Sequence, residues 1–152
     1  MEYLDAMAHE HRYERRVQFA DTDMAGLVHF SWYYRYAEEA EHDFYRKLGF
    51  SVHSRGEGHW LGLPRLAARM EFLRPLRCDD KVEVHIWVRR KGPRSIVYQL
   101  RMQKGDETVA QGEMAVVSCR TYPDGRVEAV PLPEHLAREI AEAPYPPLEF
   151  RG

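Results

Sequence analysis

The first clear pattern along the chain is an alternation of apolar and polar positions, followed by a helical repeat. Residues 13–19, YERRVQF, alternate with period two, which predicts a strand. Residues 32–48 predict one long helix that begins after an N-cap at Ser31 and ends at Gly49. Its apolar positions recur at helical spacing and are Tyr33, Tyr36, Ala37, Ala40, Phe44 and Leu48.

The opposite face of this predicted helix is charged. Arg35 and Glu39 form one pair of opposite charges four residues apart, and Asp43 and Lys47 form a second. Residues at this spacing are neighbours on a helix surface, so we expect two ion pairs along the helix.

The second half of the chain predicts successive strands. Residues 50–64 are rich in Gly, Ser and His and predict a loop. Four strand-like runs follow, at 66–72, 82–89, 96–102 and 108–121. Gly112 within the last run predicts a bulge. The tail predicts a turn at 123–125 and a short helix within 133–143.

This order of elements predicts the α+β class, with a five-stranded antiparallel sheet and the long helix packed on one of its faces. We expect one domain over residues 1–152, with a core from about 13 to 121 and a C-terminal tail at 122–152. One helix cannot cover both faces of the sheet, and an open sheet has edges to protect. Self-association is therefore expected.

Composition and charge exclude several classes of protein. The chain has 152 residues, and 44% of them are hydrophobic, as in an ordinary globular domain. A formal net charge of −2 gives no basis for nucleic acid as the main partner. Cys78 and Cys119 lie far apart, which favours neither a zinc site nor a disulfide framework. Without a secretory signal pattern or an apolar run of membrane-span length, we expect a cytoplasmic protein that does not enter a membrane.

The candidate chemistry lies in residues 21–30, DTDMAGLVHF, between the first strand and the long helix. Strand-to-helix junctions bring side-chain charges close to free backbone N–H groups. On residue types alone, Asp21 and Asp23 are more typical of turns, because their side chains bond to nearby backbone. A metal site from these two acids and His29 is not favoured, since no further ligand pattern accompanies them.

This junction resembles the hotdog-fold acyl-CoA thioesterases of the 4-hydroxybenzoyl-CoA thioesterase type. The matching stretch is FADTDMAGLVHFSWYYRYAEEAEHDFYRKLG, and RMEFLRPLRCDDKVEVHIWVRRKGPRSIVYQLRM resembles the second to fourth strands of that family. The resemblance covers about residues 13–121. The matching motif positions are Asp21, Asp23, Gly26, Val28, Tyr33 and Glu38.

The resemblance implies a sheet wrapped around the long helix and a homodimer or homotetramer with sites between subunits. It implies hydrolysis of an acyl-CoA thioester, with Asp23 as general base or nucleophile and no metal or cofactor. Backbone N–H groups at the start of the helix would polarise the thioester carbonyl. The candidate residues for binding the acyl group are Gly26, Val28, His29 and Phe30.

Three further features receive predictions on the same basis. Arg90, Lys91 and Arg94 lie around the turn between two strands and are candidates for binding the CoA phosphates, with a solvated hairpin tip as the equal alternative. Glu38 is expected to form a salt bridge on the helix rather than to act in catalysis. Residues 52–60, which include His53, could cap the acyl pocket.

Two other functions stay open on the sequence. A hotdog hydratase or dehydratase would pair a His with an acid, and His29 with Asp23 is the nearby pair. Many members of the resembled family place a Tyr or His at the position of Phe30, one residue after His29, so the role of His29 stays open. A non-catalytic acyl-CoA-binding protein would instead keep Asp23 buried, hydrogen-bonded and away from any pocket.

Overall fold

The computed structural model of the protein describes residues 7–52 and 54–152. The helices are α1 (Phe30–Lys47) and α2 (Glu134–Glu139), and a short 3-10 turn covers Phe19–Asp21. The strands are β1 (Glu10–Arg16), β2 (Ser54–Gly56), β3 (His59–Gly62), β4 (Arg65–Phe72), β5 (Lys81–Lys91), β6 (Ser95–Lys104), β7 (Glu107–Val117), β8 (Cys119–Thr121) and β9 (Val127–Ala129). Among the described residues, no helix is long and apolar enough to cross a membrane.

Five strands form the main sheet in the order β1-β5-β6-β7-β4, and every neighbouring pair is antiparallel. One face of this sheet forms the hydrophobic core. In β5, alternate residues point to that face, and all four are fully buried: Val82, Val84, Ile86 and Val88. Helix α1 packs on the same face. The predicted five-stranded antiparallel sheet with one long helix is confirmed.

Helix α1 begins two residues earlier than the sequence predicts. Its N-cap is His29 rather than Ser31, because the imidazole Nδ1 accepts from the Ser31 N–H at 3.3 Å. At the other end, Gly49 has a φ of 72° and its N–H donates to the Arg46 carbonyl, which confirms it as the stop. The first strand is also displaced toward the N-terminus, since the chain turns at Phe19–Asp21 instead of continuing the strand.

The two ion pairs expected along α1 do not form, and their acids contact β1 and, in one case, a different residue of the helix. Glu39 accepts from the Tyr13 hydroxyl and from Arg15, at 2.8 and 2.9 Å. Asp43 lies 2.7 Å from the imidazole of His11 and 3.5 Å from Arg46. Side chains on β1 face this side of the helix, so they compete with the partners along the helix.

Residues 50–64 contain more than a loop. Strands β2 and β3 form a hairpin there, which joins β8 and β9 in a second sheet of order β2-β3-β8-β9. The three-residue strands β2, β8 and β9 are too short to show an alternating pattern in the sequence. His53 lies outside the described residues.

Gly112 does not form the predicted bulge, because it pairs in register with Met70 on one side and Leu100 on the other. A Cβ at this position would lie 2.7 Å from the Arg69 carbonyl oxygen and 2.9 Å from the Met70 sulfur. Glycine therefore permits a close approach of β4 to β7.

The C-terminal tail crosses the outer face of the main sheet, opposite α1. The Ala143 N–H donates to the Val88 carbonyl at 2.8 Å, and the Leu148 N–H donates to the Gln99 side chain at 3.0 Å. Farther along, the Arg151 N–H donates to the Glu71 carboxylate at 2.7 Å. These contacts lie on β5, β6 and β4 in turn. The tail of the same chain therefore covers part of the outer face, which was expected to be covered only by a second subunit.

Candidate active site

The loop between β1 and α1 folds into a tight turn around Asp23. The Asp23 N–H donates to the Leu27 carbonyl at 2.7 Å, and the Gly26 N–H donates to the Asp23 carbonyl at 3.0 Å. Gly26 has a φ of 77°, a conformation that L side chains rarely adopt. The structure thus gives Gly26 a role in shaping the turn.

The Asp23 carboxylate is exposed and oriented by this turn. Its Oδ1 accepts from the Ala25 N–H at 2.8 Å and from the Leu27 N–H at 3.2 Å. Among the described residues, Oδ2 has no hydrogen-bond partner. One oxygen is therefore fixed by the backbone, and the other is available to a substrate or to water.

Asp21 has a different environment although it is only two residues away. Its side chain is 1% exposed, and its Oδ2 accepts from Tyr36 at 2.6 Å, from the Gln18 N–H at 2.9 Å and from Arg15 at 3.1 Å. Burial acts to raise the pKa of Asp21, but these three donors outweigh it and hold the pKa below its usual value. These contacts agree with the structural role predicted for Asp21.

The N-terminus of α1 lies beside Asp23 and presents backbone donors. The Val28 and His29 N–H groups donate to the carbonyls of Leu76 and Asp21, at 2.8 and 2.9 Å. Among the described residues, the next N–H group, that of Phe30, has no hydrogen-bond acceptor. It stands at the positive end of the helix dipole, where charge on an oxyanion is stabilised.

A cavity of about 530 Å³ is lined by both Asp23 and the N-terminus of α1. Its lining comes from the junction, from the first turns of α1 and from the segment after β4: Asp23, Leu27, Val28, His29, Phe30, Tyr33, Phe72, Leu73, Arg74 and Pro75. Four of the predicted site residues, Asp23, Val28, His29 and Phe30, are thus brought together. Gly26 is not among the lining residues.

The histidine in this cavity has a partner already. The His29 Nδ1 lies 2.8 Å from the Ser31 hydroxyl, and its ring packs against Phe30 with centroids 4.7 Å apart. The capping contact fixes the imidazole at the rim of the cavity.

The sequence did not identify the wall formed by the end of β4. Phe72 is 47% exposed and contacts Tyr33 edge-on, with ring centroids 5.0 Å apart. Arg74 follows it and lies 3.8 Å from Glu107. An exposed Phe at the end of a strand, followed by RPLR, is the signal that could have identified this wall.

The end of the β5–β6 hairpin, called the basic hairpin below, carries three cationic side chains: Arg90, Lys91 and Arg94. It lies far from this cavity in the same chain. Phe72 pairs opposite Ala110 of β7, whereas Ser95, beside the hairpin, pairs opposite Val117. Seven residues of strand correspond to roughly 23 Å. The β2–β3 hairpin joins β8 at this distant end as well, so the segment around 52–60 does not cap the cavity of its own chain.

The three basic candidates are not equivalent. The Lys91 ammonium donates to the carbonyls of Ala137 and Ile140, at 2.8 and 2.9 Å, at the end of α2. Arg90 and Arg94 are exposed. Lys91 thus stabilises the C-terminal end of α2, and the two arginines remain accessible from solvent.

Glu38 and Glu41 share a partner that the sequence did not indicate. The Glu41 side chain is 1% exposed and lies 2.6 Å from Arg65 of β4, which is 3.9 Å from the exposed Glu38. Burial raises the pKa of Glu41, and the contact with Arg65 counteracts this effect. Glu38 therefore has the salt bridge that was expected of it, in a long and exposed form.

Comparison with known proteins identifies the family. The family model of the thioesterase-like superfamily matches residues 17–140. A 1,4-dihydroxy-2-naphthoyl-CoA hydrolase of Thermosynechococcus vestitus is 33% identical over 135 residues, which cover 87% of this chain and 89% of that protein.

Solved structures share the fold. A 1,4-dihydroxy-2-naphthoyl-CoA thioesterase from Synechocystis superposes with a TM-score of 0.75 at 22% identity, covering 90% of this chain and 99% of that one. A gentisyl-coenzyme A thioesterase superposes with a TM-score of 0.70 at 26% identity, covering 83% and 98%. The sheet packed around α1 is therefore the hotdog fold, and the protein belongs to the thioesterase-like superfamily as a thioester hydrolase.

Proposed function

We propose that the protein hydrolyses an acyl-CoA thioester to a free acid and CoA, with Asp23 as the catalytic carboxylate. The observation that carries this proposal is that one cavity is lined both by Asp23, whose Oδ2 has no hydrogen-bond partner among the described residues, and by the N-terminus of α1. Thioester hydrolysis needs these two parts: a group that attacks or activates water, and donors for the charge that develops on the carbonyl oxygen.

The reaction would proceed at the rim of the cavity. As a base, Asp23 takes a proton from water, whose oxygen attacks the thioester carbon. As a nucleophile, Asp23 attacks this carbon itself, and water then hydrolyses the mixed anhydride. In both routes the carbonyl oxygen becomes negatively charged beside the Phe30 N–H, and the C–S bond breaks to release the CoA thiolate, which then takes up a proton.

For the acyl group we propose an aromatic ring. Phe30, Tyr33 and Phe72 supply aromatic walls to the cavity, and aromatic rings stack favourably on one another. The related 1,4-dihydroxy-2-naphthoyl-CoA and gentisyl-CoA thioesterases are named for aromatic acyl groups, which supports the same class here.

The CoA phosphates would be bound by Arg90 and Arg94 of a second subunit. The hairpin that carries these arginines lies at the opposite end of the sheet from the cavity of its own chain, which supports a contribution from a second subunit. Arginine forks suit phosphate groups. A homo-oligomer in which the hairpin of one subunit approaches the cavity of another is therefore part of the proposal.

A panel of CoA thioesters tests the substrate class. We expect free-thiol release to be fastest with hydroxybenzoyl-CoA and hydroxynaphthoyl-CoA, and slower with butyryl-CoA and decanoyl-CoA. Equal or faster release from the aliphatic thioesters would contradict the aromatic assignment. Binding of the whole panel without release of thiol would contradict the hydrolase mechanism and favour a binding protein.

A further inference from the structure

A separate cavity lies on the outer face of the main sheet, beneath the C-terminal tail. It has a volume of about 350 Å³, and its lining comes from β1, β5, β6 and the tail: Arg12, His85, Trp87, Arg101, Gln103, Tyr145, Pro146 and Leu148. Ile86 and Val88 point into the core and are fully buried, so Trp87 between them points to the opposite face. This outer cavity shares no residue with the catalytic one.

Basic side chains line up across this cavity. Arg12, His85 and Arg101 stand directly opposite one another on three neighbouring strands. Arg12 pairs with Glu83 at 2.7 Å, and His85 lies 3.2 Å from Glu10. Among the described residues, no carboxylate pairs with Arg101. An anion beside Arg101 would supply the carboxylate partner that Arg12 already has in Glu83.

Trp87 supplies a second and independent indication of a ligand. The residue is 4% exposed, and its indole N–H has no acceptor among the described residues. Buried N–H groups in folded proteins are nearly always hydrogen-bonded, because an unpaired one is costly. The rings of Tyr145 and Trp87 are perpendicular, with centroids 5.8 Å apart, so both contribute aromatic surface beside the cavity.

We propose that the outer cavity is a binding site for a small aromatic carboxylate. The ring of such a ligand packs against Trp87 and Tyr145, one carboxylate oxygen pairs with Arg101, and an oxygen accepts from the indole N–H. The volume is at the lower end of the range for small-ligand pockets, which suits an acid of one or two rings. The proposal is independent of the proposed function, because it rests on the other face of the sheet.

NMR of the indole N–H groups tests this site directly. The full-length protein is labelled with nitrogen-15 and titrated with benzoate, and the Trp87 signal is assigned from Trp87→Phe. We expect a saturable shift of the Trp87 indole signal at millimolar benzoate or below. Benzamide, which lacks the charge, and cyclohexanecarboxylate, which lacks the aromatic ring, are expected to cause a weaker one.

Two arginine variants complete the test. Arg101→Gln should weaken benzoate binding about tenfold, because it removes a charge-assisted pair. Arg120→Gln, at an exposed position of β8, should leave binding unchanged. A Trp87 signal that does not respond to benzoate, an equal response to benzamide, or full affinity in Arg101→Gln would each overturn the proposal. Benzoate bound only in the catalytic cavity would leave the Trp87 signal unmoved and would overturn it too.

Discussion

Asp21 and Asp23 are two residues apart, yet the backbone gives their carboxylates opposite surroundings. The 3-10 turn at Phe19–Asp21 places Asp21 inside, against Tyr36 and Arg15. The following turn places Asp23 outside, at the edge of a cavity. The motif and its resemblance predicted different roles for the two acids, and the structure gives them different surroundings. The free oxygen of Asp23 depends on which backbone N–H groups reach Oδ1, and no sequence pattern encodes this.

The environment of the Asp21 side chain leads us to expect that the stability of the protein depends on pH. The pKa of its carboxyl is lower in the folded protein than the ordinary value of 3.8, so folding favours the charged form. This contribution is fully present above the unfolded pKa and is lost as the pH falls through the folded pKa. We expect Asp21→Asn to reduce the free energy of unfolding by roughly 2 kcal/mol at neutral pH, because Arg15 and Tyr36 lose a charged acceptor.

Urea denaturation at a series of pH values measures this effect. The difference between wild type and Asp21→Asn should shrink as the pH falls below about 4. A difference that stays constant down to the acid transition would show that the carboxylate charge has no role.

Helix α1 illustrates what a pattern of residues predicts at the scale of an element. Its apolar spacing predicted the buried face correctly, because that face repeats over several turns. The N-cap was misplaced since both Ser31 and His29 can cap a helix, and the choice depends on a contact of 3.3 Å. The ion pairs were wrong because β1 brings Arg15 and His11 to the two acids of the helix, Glu39 and Asp43.

The buried pair of Glu41 and Arg65 should be the strongest polar link between α1 and β4. Glu41→Ala removes the buried partner and leaves the half-buried guanidinium with only the distant, exposed Glu38, which we expect to cost roughly 2 kcal/mol of unfolding free energy. Glu38→Ala is the matched control on the same helix, and it should cost less than about 1 kcal/mol because Glu38 is exposed.

Chemical denaturation of both variants measures these free energies. Equal losses in Glu41→Ala and Glu38→Ala would contradict the importance of burial in this pair.

At the scale of the molecule, the main sheet was predictable and the arrangement around it was not. Long alternating strands such as β5 carry their own signal. The three-residue strands of the second sheet do not, and the course of the tail depends on single contacts such as that between Leu148 and Gln99. The register of β6 and β7 also places the basic hairpin at the opposite end of the sheet from the cavity of its own chain.

Hybrid oligomers test whether catalytic sites combine two subunits. Neither Asp23→Asn nor the double variant Arg90→Gln, Arg94→Gln should be efficient alone at low substrate concentration. In a mixture that has exchanged subunits, a hybrid dimer regains one site with both an intact Asp23 and intact arginines. We expect about one quarter of the wild-type activity after random exchange of dimers.

Thiol release after co-refolding of the two variants measures the recovery. Activity no greater than the mean of the two separate variants would contradict a site shared between subunits.

A comparison of Asp23→Asn with Asp124→Asn, on the best substrate of the thioester panel, tests whether Asp23 is the catalytic carboxylate. Asp124 is the matched control, because it is exposed and its Oδ1 accepts from a backbone N–H two residues later, as that of Asp23 does. Asn can keep both turns but cannot act as a base. We expect Asp23→Asn to lower kcat about 100-fold or more with little change in thermal stability, and Asp124→Asn to keep the wild-type rate. A kcat near the wild-type value in Asp23→Asn would show that Asp23 is not the catalytic carboxylate.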